Sequence, residues 1–159
     1  MDFLIFSDSH GKRRNIAEAM ARQIRKPDAI FFLGDGLSDI GDRLEDVPVI
    51  RVRGNCDWRF PEEPVVDREI LSFEGHRLLL THGHLYGAKS GVGGLLQAAK
   101  ETGVDIVLFG HTHRQELQTI ANEEGEKTIY LFNPGSIGGG EFGTLRLSPD
   151  TVLFAHGSL

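Results

Sequence analysis

Asp8 and His10, one residue apart near the N-terminus, are the first pair in this chain whose types and spacing could do chemistry. A carboxylate and an imidazole two positions apart on a strand share a face and can grip one cation. Alone the pair is a weak signal, because an acid and a His after a strand are often a turn-former and a surface ring. Donors of the same kind recur: Asp35 between Gly34 and Gly36, Asn55 after Gly54, His82 and His84 around Gly83, and His111 and His113 around Thr112. Together, Asp8, His10, Asp35, Asn55, His82, His111 and His113 make a mixed nitrogen and oxygen set suited to divalent transition metals.

Each donor follows a short apolar run, which is how an open α/β sheet presents ligands along one edge. Residues 3–6, 29–33 and 49–53 read as strands covered on both faces, ending at Asp8-Ser9-His10, Gly34-Asp35-Gly36 and Gly54-Asn55-Cys56-Asp57. Ile16, Met20 and Ile24, with Ala17 and Ala21, predict a helix that Pro27 stops, and a weaker helix is expected from Ile40 to Leu44. Pro61 to Pro64 reads as a break. Residues 65–73 and 77–81 predict a hairpin through Glu74-Gly75-His76, with His76 on the turn in solvent. The second of these strands runs into His82-Gly83-His84. Val92, Leu95, Leu96 and Ala99 predict a helix capped by Gly103, and residues 106–109 a strand running into Gly110-His111-Thr112-His113. Residues 115–120 and 127–132 predict a hairpin around Asn122 to Gly125. Asn133-Pro134-Gly135-Ser136 opens an irregular loop to Gly140, and residues 143–147 and 151–155 close the chain as a last hairpin. No repeat or linker divides the sequence, so one domain over 1–159 is expected.

The composition, 40% hydrophobic and 25% charged, is that of a folded globular chain. A net charge of -6 argues against a nucleic-acid partner, and Lys12-Arg13-Arg14, the one tight basic run, reads as a solvated helix start. No run of about eighteen apolar residues exists to span a bilayer, so no membrane partner is expected. The single cysteine, Cys56, excludes an intrachain disulfide and a cysteine-rich zinc site, and with no signal-type segment it points to the cytoplasm.

In order and spacing, D-x-H (Asp8, His10), G-D (Gly34, Asp35), G-N-C-D (Gly54 to Asp57), T-H-G-H (Thr81 to His84) and G-H-T-H (Gly110 to His113) resemble the calcineurin-like metallophosphoesterases. The short chain, the Cys of the third motif and Asn133 to Ser136 resemble its small YfcE-type phosphodiesterase branch. The resemblance implies an α/β (α+β) fold, a four-layer αββα sandwich of two mixed β-sheets flanked by helices. It further implies two divalent metals, with manganese favoured and zinc, iron or nickel admissible. One metal is then held by Asp8, His10 and His113, the other by Asn55, His82 and His111, and Asp35 bridges both. The implied activity is a phosphodiesterase acting on a small phosphate ester through a hydroxide shared by the metals. A homodimer is an analogy with the family. The same fold also serves as a retromer subunit, so a non-catalytic scaffold is the alternative, and its discriminator is whether the ligand set is complete.

Cys56 departs from relatives that carry His after G-N, where an imidazole can protonate a leaving group. A thiol there predicts good leaving groups, or help from His84 or a metal-bound water; otherwise Cys56 is a small buried filler. Asp57 is read as orienting a neighbouring loop or ligand. Trp58 follows the site closely and reads first as core or rim packing, second as a pocket border. Ser7, Ser9 and Ser136 take loop and hydrogen-bonding roles, and His156 none.

Overall fold

Apolar side chains on both faces of the central strands force a layered packing. In the computed structural model, which describes residues 1–59, 64–121, 125 and 127–159, β1 (Asp2–Phe6) sends Phe3 and Ile5 to one face and Leu4 and Phe6 to the other, all buried. β2 (Ala29–Phe32) repeats the division, with Phe31 inward and Ile30 and Phe32 outward. A strand that is apolar on both faces needs a layer on each side.

β1 pairs in parallel with β2, β2 with β4 (Val47–Arg51), and β4 antiparallel with the two-residue β3 (Arg43–Leu44). The terminal hairpin of β10 (Glu141–Ser148) and β11 (Thr151–Ser158) joins antiparallel to β1, giving the order β11-β10-β1-β2-β4-β3. The second sheet has the order β5-β6-β7-β9-β8, built from β5 (Arg68–Phe73), β6 (His76–Thr81), β7 (Ile106–Leu108), β8 (Gln115–Ile120) and β9 (Ile129–Pro134). Its centre is parallel and its edges antiparallel.

Phe3, Phe31, Leu78, Leu80, Ile106, Leu108 and Phe132 fill the space between the sheets. Helix α1 (Arg13–Ala21) covers the outer face of the first sheet with Ile16, Ala19 and Met20, and α2 (Gly93–Thr102) covers the second with Leu95, Ala98 and Ala99. The expected four layers of helix, sheet, sheet and helix are therefore present. No described helix is long and apolar enough to cross a membrane.

Several local expectations need correction. α1 ends at Ala21, so Ile24 lies beyond it and is exposed rather than packed. Residues 40–44 form no helix; β3 pairs there with β4, and the Arg51 guanidinium donates to the Ile40 carbonyl, 3.1 Å. Asn133 and Pro134 belong to β9, not to the loop. The Pro61–Pro64 break and the turn at Asn122 to Gly125 fall mostly outside the described residues.

His76 is not a solvated turn residue. Its Nδ1 meets Asp105 Oδ2 at 2.7 Å and its Nε2 meets the Ser148 carbonyl at 2.9 Å, while Asp105 Oδ1 accepts from the Arg77 amide. One ring thus ties the second sheet to the terminal hairpin of the first. Truncating it strands a buried carboxylate oxygen, which costs about 1–3 kcal/mol. His76→Ala should lose that much in urea unfolding while the metal content of the protein is unchanged; an unaltered midpoint would show the clasp to be inert.

Candidate metal centre

The parallel strands of both sheets end at one edge, and hydrogen bonds between the strand ends align them. The Leu33 amide donates to Phe6 O, Val52 to Phe32 O, and Gly110 to His82 O. At this edge the chain takes up conformations that L-residues avoid. Of seven non-glycine residues with positive φ among those described, five are candidate ligands: Asp8 (56°), His10 (42°), Asp35 (60°), His111 (71°) and His113 (60°). Strand alternation therefore does not aim Asp8 and His10, since β1 stops at Phe6 and a left-handed turn presents both. Such strain persists only where surrounding bonds over-determine it.

Those bonds come from three side chains. Asp57, buried in a short 3₁₀ turn, accepts four backbone N–H groups: Asp35 and Gly54 on Oδ2, both at 2.8 Å, and Gly36 and Leu37 on Oδ1 at 2.9 and 3.1 Å. It thereby fastens the Asp35 loop to the Asn55 loop, the orienting role expected of it. Asp39 Oδ2 accepts from Ser9 Oγ (2.6 Å) and the Gly11 amide (2.8 Å), clamping both neighbours of His10. Asn133 donates to the Gly110 carbonyl (3.1 Å) and Thr112 Oγ1 (3.0 Å), holding the loop that carries His111 and His113. Asp39 escaped the sequence reading because nothing separates it from a surface turn acid.

Glycine permits the close approach. A Cβ on Gly54 would overlap Asp35 Oδ1, and one on Gly110 would overlap Ser7 Oγ.

Two donor clusters result, Asp8 with His10 and His113, and Asp35 with His82 and His111; within each, the donor atoms lie within 4.8 Å of one another and could hold a metal ion. Asp8, fully buried, accepts at Oδ2 from Ser7 Oγ (2.5 Å) and the His111 amide (3.0 Å). Its Oδ1 faces His113 Nε2 at 3.1 Å, His10 Nε2 at 3.5 Å and His82 Nε2 at 3.7 Å. Asp35, 4% exposed, uses Oδ1 to accept from the Cys56 amide (2.8 Å). Its Oδ2 faces His82 at 3.2 Å and His10 at 3.8 Å, one imidazole from each cluster. Asp35 Oδ2 thus faces both clusters, as Asp8 Oδ1 does at longer range through His82.

His82 is wholly buried and its Nδ1 lies 2.7 Å from the Leu33 carbonyl. That bond fixes a proton on Nδ1 and leaves Nε2 facing Asp35 Oδ2 and, 3.2 Å away, His111 Nδ1: an N–H donor when the ring is charged, a lone pair for a metal when it is neutral. Burial opposes ionisation of Asp35, but the hydrogen bond and charge of His82 and the Cys56 contacts outweigh it and hold the carboxyl well below its usual range. Burial likewise opposes charge on His82, yet Asp35 and Asp8 raise it. His111 and His84 are both lowered, by burial first and then by the charge of His82.

Asn55 is exposed at the edge, its amide donating to Cys56 Sγ at 3.5 Å. Cys56 is exposed, so it is not a buried filler; partial loss of solvent around its sulfur and the nearby Asp35 push the thiol up, keeping it an S–H at neutral pH. His84 stands with its ring 5.4 Å from His82 and 6.1 Å from His111, and its buried Nδ1 has no partner. Trp58 is 68% exposed, which excludes core packing.

A profile described as calcineurin-like phosphoesterase superfamily domain matches residues 1–156. The chain belongs to that family. It is 34% identical over 138 residues to a Bacillus subtilis protein named probable metallophosphoesterase YsnB, covering 86% of this chain and 75% of the relative. Escherichia coli phosphodiesterase YfcE is 37% identical over 111 residues, 62% of this chain and 50% of the relative, so the chain spans about half of that phosphodiesterase. The fold matches a Streptococcus pneumoniae protein described as a predicted phosphoesterase (TM-score 0.75, 24% identity, 99% of this chain and 88% of the other). It also matches Entamoeba histolytica Vps29 complexed with zinc (TM-score 0.67, 17% identity, 99% of each chain).

Replacing Asp57 with Asn exchanges one acceptor oxygen for an NH₂ facing N–H donors. Asp57→Asn should cost on the order of 3 kcal/mol in urea unfolding and lower metal retained after dialysis; full metal retention would show that the four bonds do not hold the ligands. Asp39→Ala should weaken divalent-metal binding by about tenfold or more in calorimetric titration; an unchanged affinity would contradict its hold on His10.

Proposed function

We propose that the protein is a dinuclear metal-dependent phosphodiesterase. The observation that carries the reading is Asp35 Oδ2, a buried carboxylate oxygen facing one imidazole of each donor cluster. The residues fit two cations: the clusters are closed, the carboxylates are buried, and the Leu33 carbonyl presets His82 to offer Nε2. In this reading Asp8, His10 and His113 hold one ion, Asn55, His82 and His111 the other, and Asp35 joins them. Two divalent cations so placed supply a hydroxide nucleophile near neutral pH and the positive charge that receives the phosphoryl oxygens.

The chain's own residues do the rest. Neutral Asn55 adds a donor without adding negative charge, which keeps an anion site in an acidic protein. The Cys56 thiol, held protonated beside Asp35, is neither a nucleophile nor a good proton donor. His84, whose ring stands 5.4 Å from that of His82, gives or accepts the leaving group's proton in this reading. The substrate class is a small phosphate ester, with diesters favoured by the phosphodiesterase-named relative. Manganese is the proposed metal, since mixed imidazole and oxygen donors admit several ions and availability selects among them. The lone exposed thiol fits the reducing cytoplasm. A scaffold that binds only partners needs no closed ligand set, so the enzyme reading is preferred.

Manganese-loaded wild type should hydrolyse bis(p-nitrophenyl) phosphate, and Asp35→Asn should reduce the rate by about a hundredfold or more. Wild type inactive with every divalent metal, or a fully active Asp35→Asn, would sink the proposal. Cys56→His should raise the rate on an alkyl ester more than on the nitrophenyl ester, by roughly tenfold or more; equal effects on both would mean that position 56 protonates no leaving group.

A further inference from the structure

Two loops pack against Gly83, the residue between His82 and His84. A Cβ on Gly83 would lie 3.0 Å from the Ala88 Cβ and 3.7 Å from the Gly110 carbonyl oxygen. The Gly83 carbonyl accepts the amides of Tyr86 and Ala88 at 3.1 and 3.2 Å, which folds residues 84–88 back onto it. A 3₁₀ turn over Ala88–Ser90 follows, with Ala88 buried and the Gly91 amide donating to its carbonyl at 3.2 Å. Lys89 comes directly after Ala88, and the donor His111 directly after Gly110. One glycine therefore draws a lysine and a candidate metal ligand together. His111 is lowered by burial, then by the charges of His82 and Lys89, so the ammonium acts on the metal edge.

Lys89 is exposed, and among the described residues it has no hydrogen-bond or ion-pair partner, whereas Arg22 is held by Glu18 and Lys26 by Asp46. A solvated lysine is ordinary, but this one carries its charge on a flexible four-carbon stem beside groups proposed to hold cations. Like charges so placed repel, and an anion between them offsets the repulsion. We infer that Lys89 binds the phosphoryl group of the substrate from the His111 side and takes up the second negative charge that the group acquires during reaction. The inference rests on the metal-centre reading and adds a substrate-binding residue to it. A diester arrives with one negative charge. Hydroxide adds to phosphorus through a new P–O bond, and the doubly charged group then loses the ester oxygen with its electron pair, leaving a monoester. Lys89 thus favours the reacting diester over the bound one, and doubly charged monoesters over singly charged ligands.

In calorimetric titration of the manganese-loaded protein in mildly alkaline buffer, where inorganic phosphate is largely a dianion, Lys89→Gln should bind phosphate about tenfold more weakly than wild type. On bis(p-nitrophenyl) phosphate its kcat should fall about tenfold or more while KM changes by less than about twofold. Lys89→Arg, which keeps the charge, should recover most of both losses. Lys100→Gln, which removes the same charge from α2, should change neither, and all three variants should retain manganese through dialysis. Phosphate binding and turnover unchanged in Lys89→Gln, or a KM that rises while kcat holds, would overturn the inference and leave the metal centre standing. Loss of manganese from Lys89→Gln would assign the residue to the fold and likewise overturn it. Wild type that neither binds phosphate nor turns over the diester would remove the metal-centre reading and the role of Lys89 with it.

Discussion

Two carboxylates, Asp8 and Asp35, are buried against a group of imidazoles at one edge of a pair of sheets, and the rest of the architecture follows from that constraint. Anions are removed from water only when charge and hydrogen bonds compensate them. Asp8 Oδ2 and Asp35 Oδ1 are satisfied by the protein, through Ser7, His111 and Cys56. Asp8 Oδ1 and Asp35 Oδ2 face ring nitrogens, at distances from 3.1 to 3.8 Å. Neutral rings with one proton each cannot serve every such contact, and cations between the groups can. On the proposed reading, metal cations supply the further positive charge that these oxygens face.

Holding it requires a backbone that would otherwise relax. Five donor-bearing residues sit at positive φ, and the bonds that enforce this come from acids and amides one step back from the site. Asp57 binds four amides, Asp39 binds both flanks of His10, and Asn133 binds both sides of the His111 loop. The two sheets supply the rigid floor: a core of Phe, Leu and Ile between them fixes where each strand stops. The His82 imidazole at the end of β6 then bonds across to the first sheet, its Nδ1 donating to the Leu33 carbonyl at the end of β2.

The strands and the donor residues were legible because apolar runs that stop at Gly, Asp, Asn or His are an explicit pattern, and the pattern survives single-sequence reading. What was not legible is how those residues are aimed. Period-two alternation would put Asp8 and His10 on one face, whereas left-handed turns present both, and the enrichment of Asp and His in that conformation is too weak to mark single positions. Backbone partners leave no trace in composition either, so the Leu33 carbonyl and the four-fold role of Asp57 could not be read. Residues 40–44 looked weakly helical because Ile40 and Leu44 are four apart, but one points into the core beside α1 while the other pairs in β3. His76 looked like a turn residue because Glu74-Gly75 precedes it; its partners, Asp105 and Ser148, are remote in sequence.

The central claim is that Asp35 joins two cations rather than completing a single site. Crystals grown with manganese, measured for anomalous scattering, address it directly. The account predicts two peaks about 3.5–4 Å apart, one against Asp8, His10 and His113, the other against Asn55, His82 and His111, with Asp35 Oδ2 between them. A single peak, or a second peak that Asp35 does not touch, would contradict it.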